Sequence, residues 1–277
     1  MSLPLVIDSN ALAELLSQVR VDGATLHDAR ICLVDLRSPE AYAAGHIPGA
    51  VSGTAALLNR SQPPMGGLMP QPEAVNTLLE QIGANLGDQI IAYDGGKETA
   101  AARLMWVLDA YGYEVGSWLS GGFGDWLSQE LPITTDVPTN ITGDLTLSLV
   151  GDNVISAELL MENLGTGSLK ILDVRSANEY AGTDVRSARG GHVPRAHHLE
   201  WTTQLDDKGC LLNDELLQAQ LEDAGVSTDD TVIVYCQTHQ RSAVTYVALK
   251  HLGYTDVRAL DGAWSNWGNR TDTPIDQ

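Results

Sequence analysis

The sequence predicts an α/β fold that is present twice, each copy a parallel sheet with helices on both faces. Three observations support this. A chain of 277 residues is long enough for two cores, short apolar strands alternate with helical patterns, and the second half repeats the first. Continuous apolar strands that alternate with helices are typical of a parallel sheet buried on both faces.

The repeat extends over the whole chain. Residues 33–42 (LVDLRSPEAY) match residues 171–180 (ILDVRSANEY), about half of the chain further on. Later matches keep nearly the same spacing: Leu79-Glu80 with Leu221-Glu222, Gly112-Tyr113 with Gly253-Tyr254, and Leu119–Trp126 with Leu260–Trp267. A period of this size indicates a duplicated domain rather than a solenoid of short repeats.

The boundary between the copies is predicted in residues 132–144 (PITTDVPTNITGD), which are rich in Pro, Thr and Asp and have no helical period. Such a composition is typical of a linker. We therefore expect a first domain at residues 1–134, a linker at 135–148 and a second domain at 149–277.

Each copy is predicted to alternate strand and helix. Apolar runs rich in β-branched residues predict buried strands at 31–36, 89–93, 169–174 and 231–235. Helical spacing of apolar residues predicts helices at 11–19, 74–84, 99–112, 214–225 and 242–253. Sites in parallel sheets lie beyond the carboxyl ends of strands, so the loops that follow these strands are the candidate sites.

The composition excludes several classes of function. With 16 Lys and Arg against 36 Asp and Glu, the net charge is −20 at pH 7. Nucleic acid and anionic membranes are therefore not expected partners, because both are polyanions. The first arginine is Arg20, and no apolar run approaches the roughly 18 residues of a membrane span. We expect a soluble, cytoplasmic chain that works as a monomer.

The three cysteines are Cys32, Cys210 and Cys236. An odd number of widely spaced cysteines without a CxxC pair predicts free thiols and a reducing compartment. Cys32 lies in a predicted core strand and Cys210 in a loop, so neither is expected to react. The histidines match no strong ligand spacing, and we expect neither a metal nor an organic cofactor.

Cys236 is the candidate nucleophile. It follows the predicted strand 231–235, and the loop Cys236–Arg241 (CQTHQR) leads into a helix. Amide groups and the dipole at a helix N-terminus, together with Arg241 and His239, lower a thiol pKa and stabilise an anionic sulfur. A buried structural thiol is the alternative interpretation. The first half carries Asp94 at the matching position, so only the second half is expected to be catalytic.

These residues resemble the rhodanese family of sulfurtransferases, and the resemblance covers the whole chain as two tandem rhodanese-like domains. The shared motifs are D-x-R-S-x-x-x-Y in both halves, GHIPGA at 45–50 with GHVPRA at 191–196, and a terminal L-x-G-G/A-x-x-x-W. The loop CQTHQR is similar to that of bacterial thiosulfate sulfurtransferases. It differs from the C-R-K-G-V-T loop of animal thiosulfate enzymes and from the C-G-x-G-V-T loop of mercaptopyruvate enzymes, so the donor stays open between thiosulfate and 3-mercaptopyruvate.

The resemblance implies transfer of sulfane sulfur. The Cys236 thiolate takes the outer sulfur of thiosulfate, releases sulfite and carries a persulfide. A thiophilic acceptor, such as cyanide, a small thiol or a thioredoxin-like protein, then removes the sulfur. Donor binding is assigned to the remaining loop residues and the first helical residues: Gln237, Thr238, His239, Gln240, Arg241 and Ser242. The hydroxyls of Thr238 and Ser242 either bond the persulfide or cap the helix.

Basic residues cluster in the second half, where an insertion between Tyr180 and His192 holds Arg186 and Arg189, and Arg195 follows. They form either a basic rim that steers anionic donors or a solvated loop. Arg186 and Arg195 are assigned to donor binding; for Arg195 the assignment follows from the resemblance. In contrast, Asp35/Arg37 and Asp173/Arg175 recur in both halves and predict structural ion pairs.

Two other functions stay open. A non-enzymatic sulfur carrier or binding module could use the same loop. A cysteine phosphatase or arsenate reductase shares the fold but uses C-x5-R, whereas this loop is C-x4-R. The shorter loop favours a single sulfur atom over a phosphate with several oxygens, because the site rather than the fold decides the chemistry.

Overall fold

A computed structural model describes residues 3–21, 26, 28–138, 143–165 and 169–277. The chain forms two compact units. Unit 1 is Met1–Leu58, Pro70–Leu149 and Asp206–Leu211, and unit 2 is Asn59–Met69, Val150–Leu205 and Leu212–Gln277. Each unit thus includes one short segment from the other half of the sequence, which the sequence analysis did not anticipate.

The secondary structure alternates between strand and helix along the chain. The strands are β1 Val6–Ile7, β2 Ile31–Asp35, β3 Val51–Ser52, β4 Arg60–Gln62, β5 Met65–Leu68, β6 Gln89–Tyr93, β7 Gly116–Leu119, β8 Val154–Ile155, β9 Leu169–Asp173, β10 His197–His198, β11 Thr231–Tyr235 and β12 Val257–Leu260. The α-helices are α1 Ser9–Val21, α2 Pro39–Ala44, α3 Pro72–Gln81, α4 Ala100–Ala110, α5 Gly122–Ser128, α6 Ala157–Asn163, α7 Ala177–Tyr180, α8 Asp214–Asp223, α9 Arg241–His251 and α10 Ala263–Trp267. Short 3-10 helices lie at Ala55–Leu58 and Trp201–Gln204.

Each unit has its own parallel sheet. The strand order is β1-β7-β6-β2-β3 in unit 1 and β10-β9-β11-β12-β8 in unit 2. All neighbours within these two sheets pair in parallel. This confirms the predicted α/β class, two copies of a parallel sheet flanked by helices. The four predicted core strands correspond to β2, β6, β9 and β11.

Burial of alternate strand residues explains why helices cover the sheets. In unit 1, Ile31, Leu33, Ile91 and Tyr93 join a core cluster with Leu12 and Leu16 of α1 and with Phe123 and Trp126 of α5. In unit 2, Ile171, Ile233 and Tyr235 join a matching cluster with Leu160 of α6 and Trp264 of α10. Every residue of β2 and β6 is buried, so both faces of that sheet are covered.

The predicted linker at 135–148 falls partly outside the described residues, because 139–142 are not among them. Its described part has neither helix nor strand and groups with unit 1. Leu145 N donates to Ala84 O at 3.0 Å, and Leu147 N donates to the side chain of Asn76 at 2.9 Å. This stretch therefore runs along α3 and the turn that follows it.

The recurring Asp/Arg motif is a buried ion pair in both units, as predicted. The guanidinium of Arg37 donates to both carboxylate oxygens of Asp35 and to Gly45 O, the last at 2.7 Å. Arg175 does the same with Asp173 and with Gly191 O, also at 2.7 Å. The pair ties the end of a central strand to the turn after the next helix, which is a folding role common to both copies.

Among the described residues, no helix is both long and apolar enough to cross a lipid bilayer.

Candidate active site

Cys236 lies directly after β11, at the carboxyl end of the unit 2 sheet, and its side chain is fully buried. Its carbonyl oxygen accepts from Trp264 N at 3.0 Å, and Gln237 O accepts from Ser265 N at 2.9 Å. These two bonds fix the start of the loop to α10. Helix α9 begins at Arg241, and the amides of Thr238 in the loop and Ser242 in the helix donate to the sulfur.

The surroundings of the sulfur favour its anionic form. Burial raises the pKa of the Cys236 thiol, but the Arg241 charge lowers it, as do hydrogen bonds from the Ser242 hydroxyl and from the amides of Ser242 and Thr238. The net direction is a pKa below the ordinary thiol value. Such a thiolate is a nucleophile and a stable holder of negative charge on sulfur.

Ser242 contacts the sulfur and does not act as the helix cap. The N-cap of α9 is Gln240, which makes no side-chain capping bond. Ser242 Oγ lies 2.6 Å from His239 Nδ1, and both side chains are buried. When Ser242 donates to the sulfur, its oxygen accepts from His239 Nδ1, so His239 orients the hydroxyl. Thr238 contributes its amide.

Arg241 is held by Glu179, which the sequence analysis missed. Two parallel bonds of 2.7 and 2.8 Å join the guanidinium to the carboxylate, whose side chain is 1% exposed. Burial raises the pKa of Glu179, but Arg241 and Ser176 outweigh burial and lower it to about 2. Glu179 also completes a capping box with Ser176 on α7. The S-x-x-E spacing was a visible signal, and the first half has Ala41 there.

Arg186 lies beside the loop, and its assignment to donor binding stays a prediction. Gln237 Nε2 donates to Arg186 O at 3.2 Å and to Ser187 Oγ at 3.1 Å. The exposed Arg186 side chain pairs with Asp184 at 2.8 Å and lies 3.7 Å from Glu179. The side chain of Gln240 donates to Asn59 Oδ1. Gln237 and Gln240 therefore bond the loop to neighbouring residues, whereas Arg241 and Ser242 face the sulfur.

The assignment of Arg195 to donor binding is wrong in this structure. Arg195 lines a cavity with Leu169 and Lys170 at the amino end of β9. Cys236 follows the carboxyl end of β11, which runs parallel to β9, so the two residues lie at opposite ends of the sheet. Arg189 does not form part of a rim either, because its guanidinium donates to the carbonyl oxygens of Thr273 and Trp267. Of the three predicted rim arginines, only Arg186 lies at the loop.

The first unit keeps the same amide cradle but fills it with its own carboxylate. Asp94 is buried, and its oxygens accept from Gly96 N and Ala101 N, both at 3.0 Å. Burial raises the pKa of Asp94, and hydrogen bonds from the amides of Ala101, Gly96 and Ala100 oppose that shift. In the repeat, Gly96 and Ala100 match Thr238 and Ser242, which cradle the Cys236 sulfur.

All three cysteines are free. Burial raises the pKa of Cys32 to about 12. Burial and the charge of Asp125 raise that of Cys210 to about 11. Trp264 and Trp267 belong to the unit 2 core. The backbone amide of Trp264 donates to Cys236 O and so contacts the loop. No group of three or more His, Cys, Asp or Glu among the described residues is arranged to hold a metal ion.

Comparisons with known proteins agree with this geometry. A family model described as rhodanese-like domain matches residues 12–129 and again 156–270. The thiosulfate sulfurtransferases of Azotobacter vinelandii and Pseudomonas aeruginosa are 36% and 37% identical to this chain, covering 99% of it and 98% and 97% of their own lengths. The 3-mercaptopyruvate sulfurtransferase of Escherichia coli K12 is 30% identical, covering 91% of this chain and 94% of its own.

Among solved structures, the crystal structure of SseA from Escherichia coli, a 3-mercaptopyruvate sulfotransferase, superposes with a TM-score of 0.78. It is 27% identical to this chain and the match covers 95% of this chain and 99% of that one.

Proposed function

Because the chain belongs to the rhodanese-like domain family, with one match in each half, we propose that it moves sulfane sulfur from thiosulfate to a thiophilic acceptor through a persulfide on Cys236. The observation that carries this proposal is the buried Cys236 sulfur, which meets the amides of Thr238 and Ser242, the Ser242 hydroxyl and the Arg241 charge. Thiosulfate is the preferred donor because the relatives named for it are 36% and 37% identical, against 30% for the mercaptopyruvate enzyme.

In the first step the Cys236 thiolate attacks the outer sulfur of thiosulfate. A sulfur–sulfur bond forms to Cys236, the sulfur–sulfur bond of thiosulfate breaks, and its electron pair leaves with sulfite. No proton has to move, since the lowered thiol pKa supplies the thiolate. Arg241 and the loop amides stabilise the negative charge that is carried first by the thiolate and then by the persulfide.

In the second step a nucleophilic acceptor attacks the outer sulfur of the persulfide. Cyanide, a small thiol or a thioredoxin-like thiol has the chemistry for this step. The bond between the two sulfurs breaks, and Cys236 leaves as a thiolate. The amides that stabilised the persulfide then stabilise this leaving group, so one preformed cradle serves both half-reactions.

Neither half-reaction requires a metal or an organic cofactor. The free thiols suit a reducing compartment, and we place the protein in the cytoplasm as a monomer with both units in one chain.

Intact mass spectrometry tests the proposal. The full chain is measured before and after thiosulfate, and again after cyanide. We expect a gain of about 32 Da at Cys236 that cyanide removes, since persulfidation is a reversible cap on a thiolate. Cys236→Ser should gain nothing, while Cys210→Ser should behave as the unchanged chain. A gain with mercaptopyruvate alone would change the donor, and no gain with either donor would refute the sulfurtransferase.

A further inference from the structure

A small cavity lies in unit 2 at the amino end of β9, at the other end of the sheet from Cys236. Its volume is about 90 Å³. Three of its lining residues are basic, namely Lys170, Arg195 and His197. The rest of the wall is apolar or glycine: Leu164, Gly165, Leu169 and Ile171. The cavity is thus lined by three basic side chains beside the first residues of β9.

None of the three basic side chains forms an ion pair or a side-chain hydrogen bond with any residue that the structure describes. Arg195 and His197 are exposed and Lys170 is half-buried, so all three side chains are open to a ligand from solvent. Other arginines of unit 2, such as Arg175, Arg241 and Arg270, each have a carboxylate partner. The side chains of Lys170 and His197 approach one point, since a Cβ placed at Gly225 would lie 4.0 Å from Lys170 Nζ and 3.7 Å from His197 Cε1.

The first half provides an internal control, because it has none of these three residues. The repeat aligns Lys170 with Cys32, Arg195 with Gly49 and His197 with Val51. In unit 1 the corresponding space is filled, since a Cβ at Gly49 would lie 2.5 Å from Leu26 Cδ1. A feature that serves folding alone would recur in both copies, as the Asp/Arg pairs do.

The backbone at Arg195 gives an independent observation. Its φ is 65°, whereas Gly49 at the same turn of the first half has φ 86°. The left-handed conformation suits glycine and is strained for a residue with a Cβ. Strain of this kind persists where the side chain has a use. At this left-handed turn the second half thus has Arg195 where the first half has Gly49.

We propose that this cavity binds a small tetrahedral oxyanion of the phosphate or sulfate type, either free or as the end group of a larger molecule. Arg195 and Lys170 would supply positive charge and several N–H donors, and His197 one more N–H. The site does not depend on the sulfur-transfer reaction.

Nuclear magnetic resonance of the full chain tests the site. Inorganic phosphate is titrated while the Cε1 proton of His197, assigned with His197→Val, is followed. We expect a saturable shift whose dissociation constant rises at least tenfold in Arg195→Gly and in Lys170→Gln. Arg195→Gly introduces the residue that the first half uses at a left-handed φ, so this variant should fold. Lys97→Gln removes one charge from an exposed residue of unit 1 and should change the affinity less than twofold.

The absence of a saturable His197 shift would overturn the proposal, as would equal affinity in Arg195→Gly and the unchanged chain. A second titration with glycerol 2-phosphate distinguishes the two sources of the anion. Tighter binding of the ester than of inorganic phosphate indicates an end group of a larger molecule, and weaker binding indicates a free anion.

Discussion

At the scale of single residues, two opposing effects decide the state of the Cys236 thiol. Full burial favours the neutral thiol, while Arg241 and the donors on Ser242 and Thr238 favour the thiolate and outweigh burial. Arg241 acts from a fixed place, because the buried carboxylate of Glu179 holds its guanidinium by two bonds. Glu179 is therefore a positioning residue, which orients the cation without touching the sulfur.

The Arg241–Glu179 pair allows stability to be separated from chemistry. Arg241→Gln alone should lower the free energy of unfolding by about 2–4 kcal/mol, because it leaves a buried carboxylate without its partner. The double variant Arg241→Gln/Glu179→Gln should recover most of that stability and still load sulfur from thiosulfate at least tenfold more slowly. Chemical denaturation and the rate of mass gain measure the two effects. Full recovery of the loading rate in the double variant would show that Arg241 has no chemical role.

The thiol pKa predicts a pH dependence. Wild-type absorbance minus that of Cys236→Ala should show a thiolate that titrates below the ordinary value of 9.0. Cys210 and Cys32 should not contribute in that range, since their pKa values are raised to about 11 and about 12. The thiolate fraction falls as the pH drops through the Cys236 pKa, so sulfur loading should slow there too. Ser242→Ala should move the midpoint upward, and a midpoint above 9.0 in the unchanged chain would contradict the assignment.

At the scale of elements, the loop keeps its shape because two other elements hold it. Helix α10 bonds the carbonyl groups of Cys236 and Gln237, and the hairpin of β4 and β5 packs on Thr238. Gly67 of β5 has φ 68°, and a Cβ there would lie 1.9 Å from Thr238 O. Ser265 Oγ accepts from Gly66 N at 2.9 Å. The hairpin comes from the first half of the sequence, so that half contributes to the geometry of the catalytic loop.

Gly67→Ala should displace Thr238 and its amide from the sulfur. We expect lower stability and at least tenfold slower sulfur loading from thiosulfate. Gly209→Ala is a matched control, because Gly209 has φ 83° and a Cβ there would lie 2.0 Å from Gly96 O in the unit 1 cradle. It should lower stability to a similar extent and leave the loading rate within twofold. Equal slowing by both variants would mean that the effect is global and not carried by Thr238.

At the scale of the whole molecule, duplication separates folding from function. Both units have the buried Asp/Arg pair, and in both a tyrosine hydroxyl, of Tyr93 or Tyr235, accepts a hydrogen bond from a backbone amide in a turn. In both, a glycine from the other half of the sequence, Gly209 or Gly67, packs against the loop. The units differ at the cradle itself, which holds Asp94 in unit 1 and Cys236 in unit 2. The first cradle is occupied by the carboxyl group of Asp94, which is not a nucleophile of the kind that sulfur transfer needs.

Asp94→Ala should therefore leave sulfur loading at Cys236 within twofold of the unchanged chain. Its stability should fall by about 1–3 kcal/mol, since the amides of Gly96 and Ala101 lose a buried acceptor. Asp94→Asn retains one acceptor oxygen and should lose less. Thermal unfolding and mass gain measure the two quantities, and a large loss of loading in a folded Asp94→Ala chain would assign unit 1 a part in the chemistry.

The amino-acid sequence by itself determined the duplication, the α/β class, the strands β2, β6, β9 and β11, and the loop with Cys236 and Arg241. These features depend on periodicity and on spacing within a few residues, which a linear sequence displays directly. Only the tertiary structure brought Glu179 to Arg241 and the β4–β5 hairpin to Thr238, because these contacts join residues far apart in the chain. It also showed that Arg195 lies away from the Cys236 loop. Arg195 lies in the turn before β10 and lines a cavity with Leu169 and Lys170 at the amino end of β9, whereas Cys236 follows the carboxyl end of the parallel strand β11.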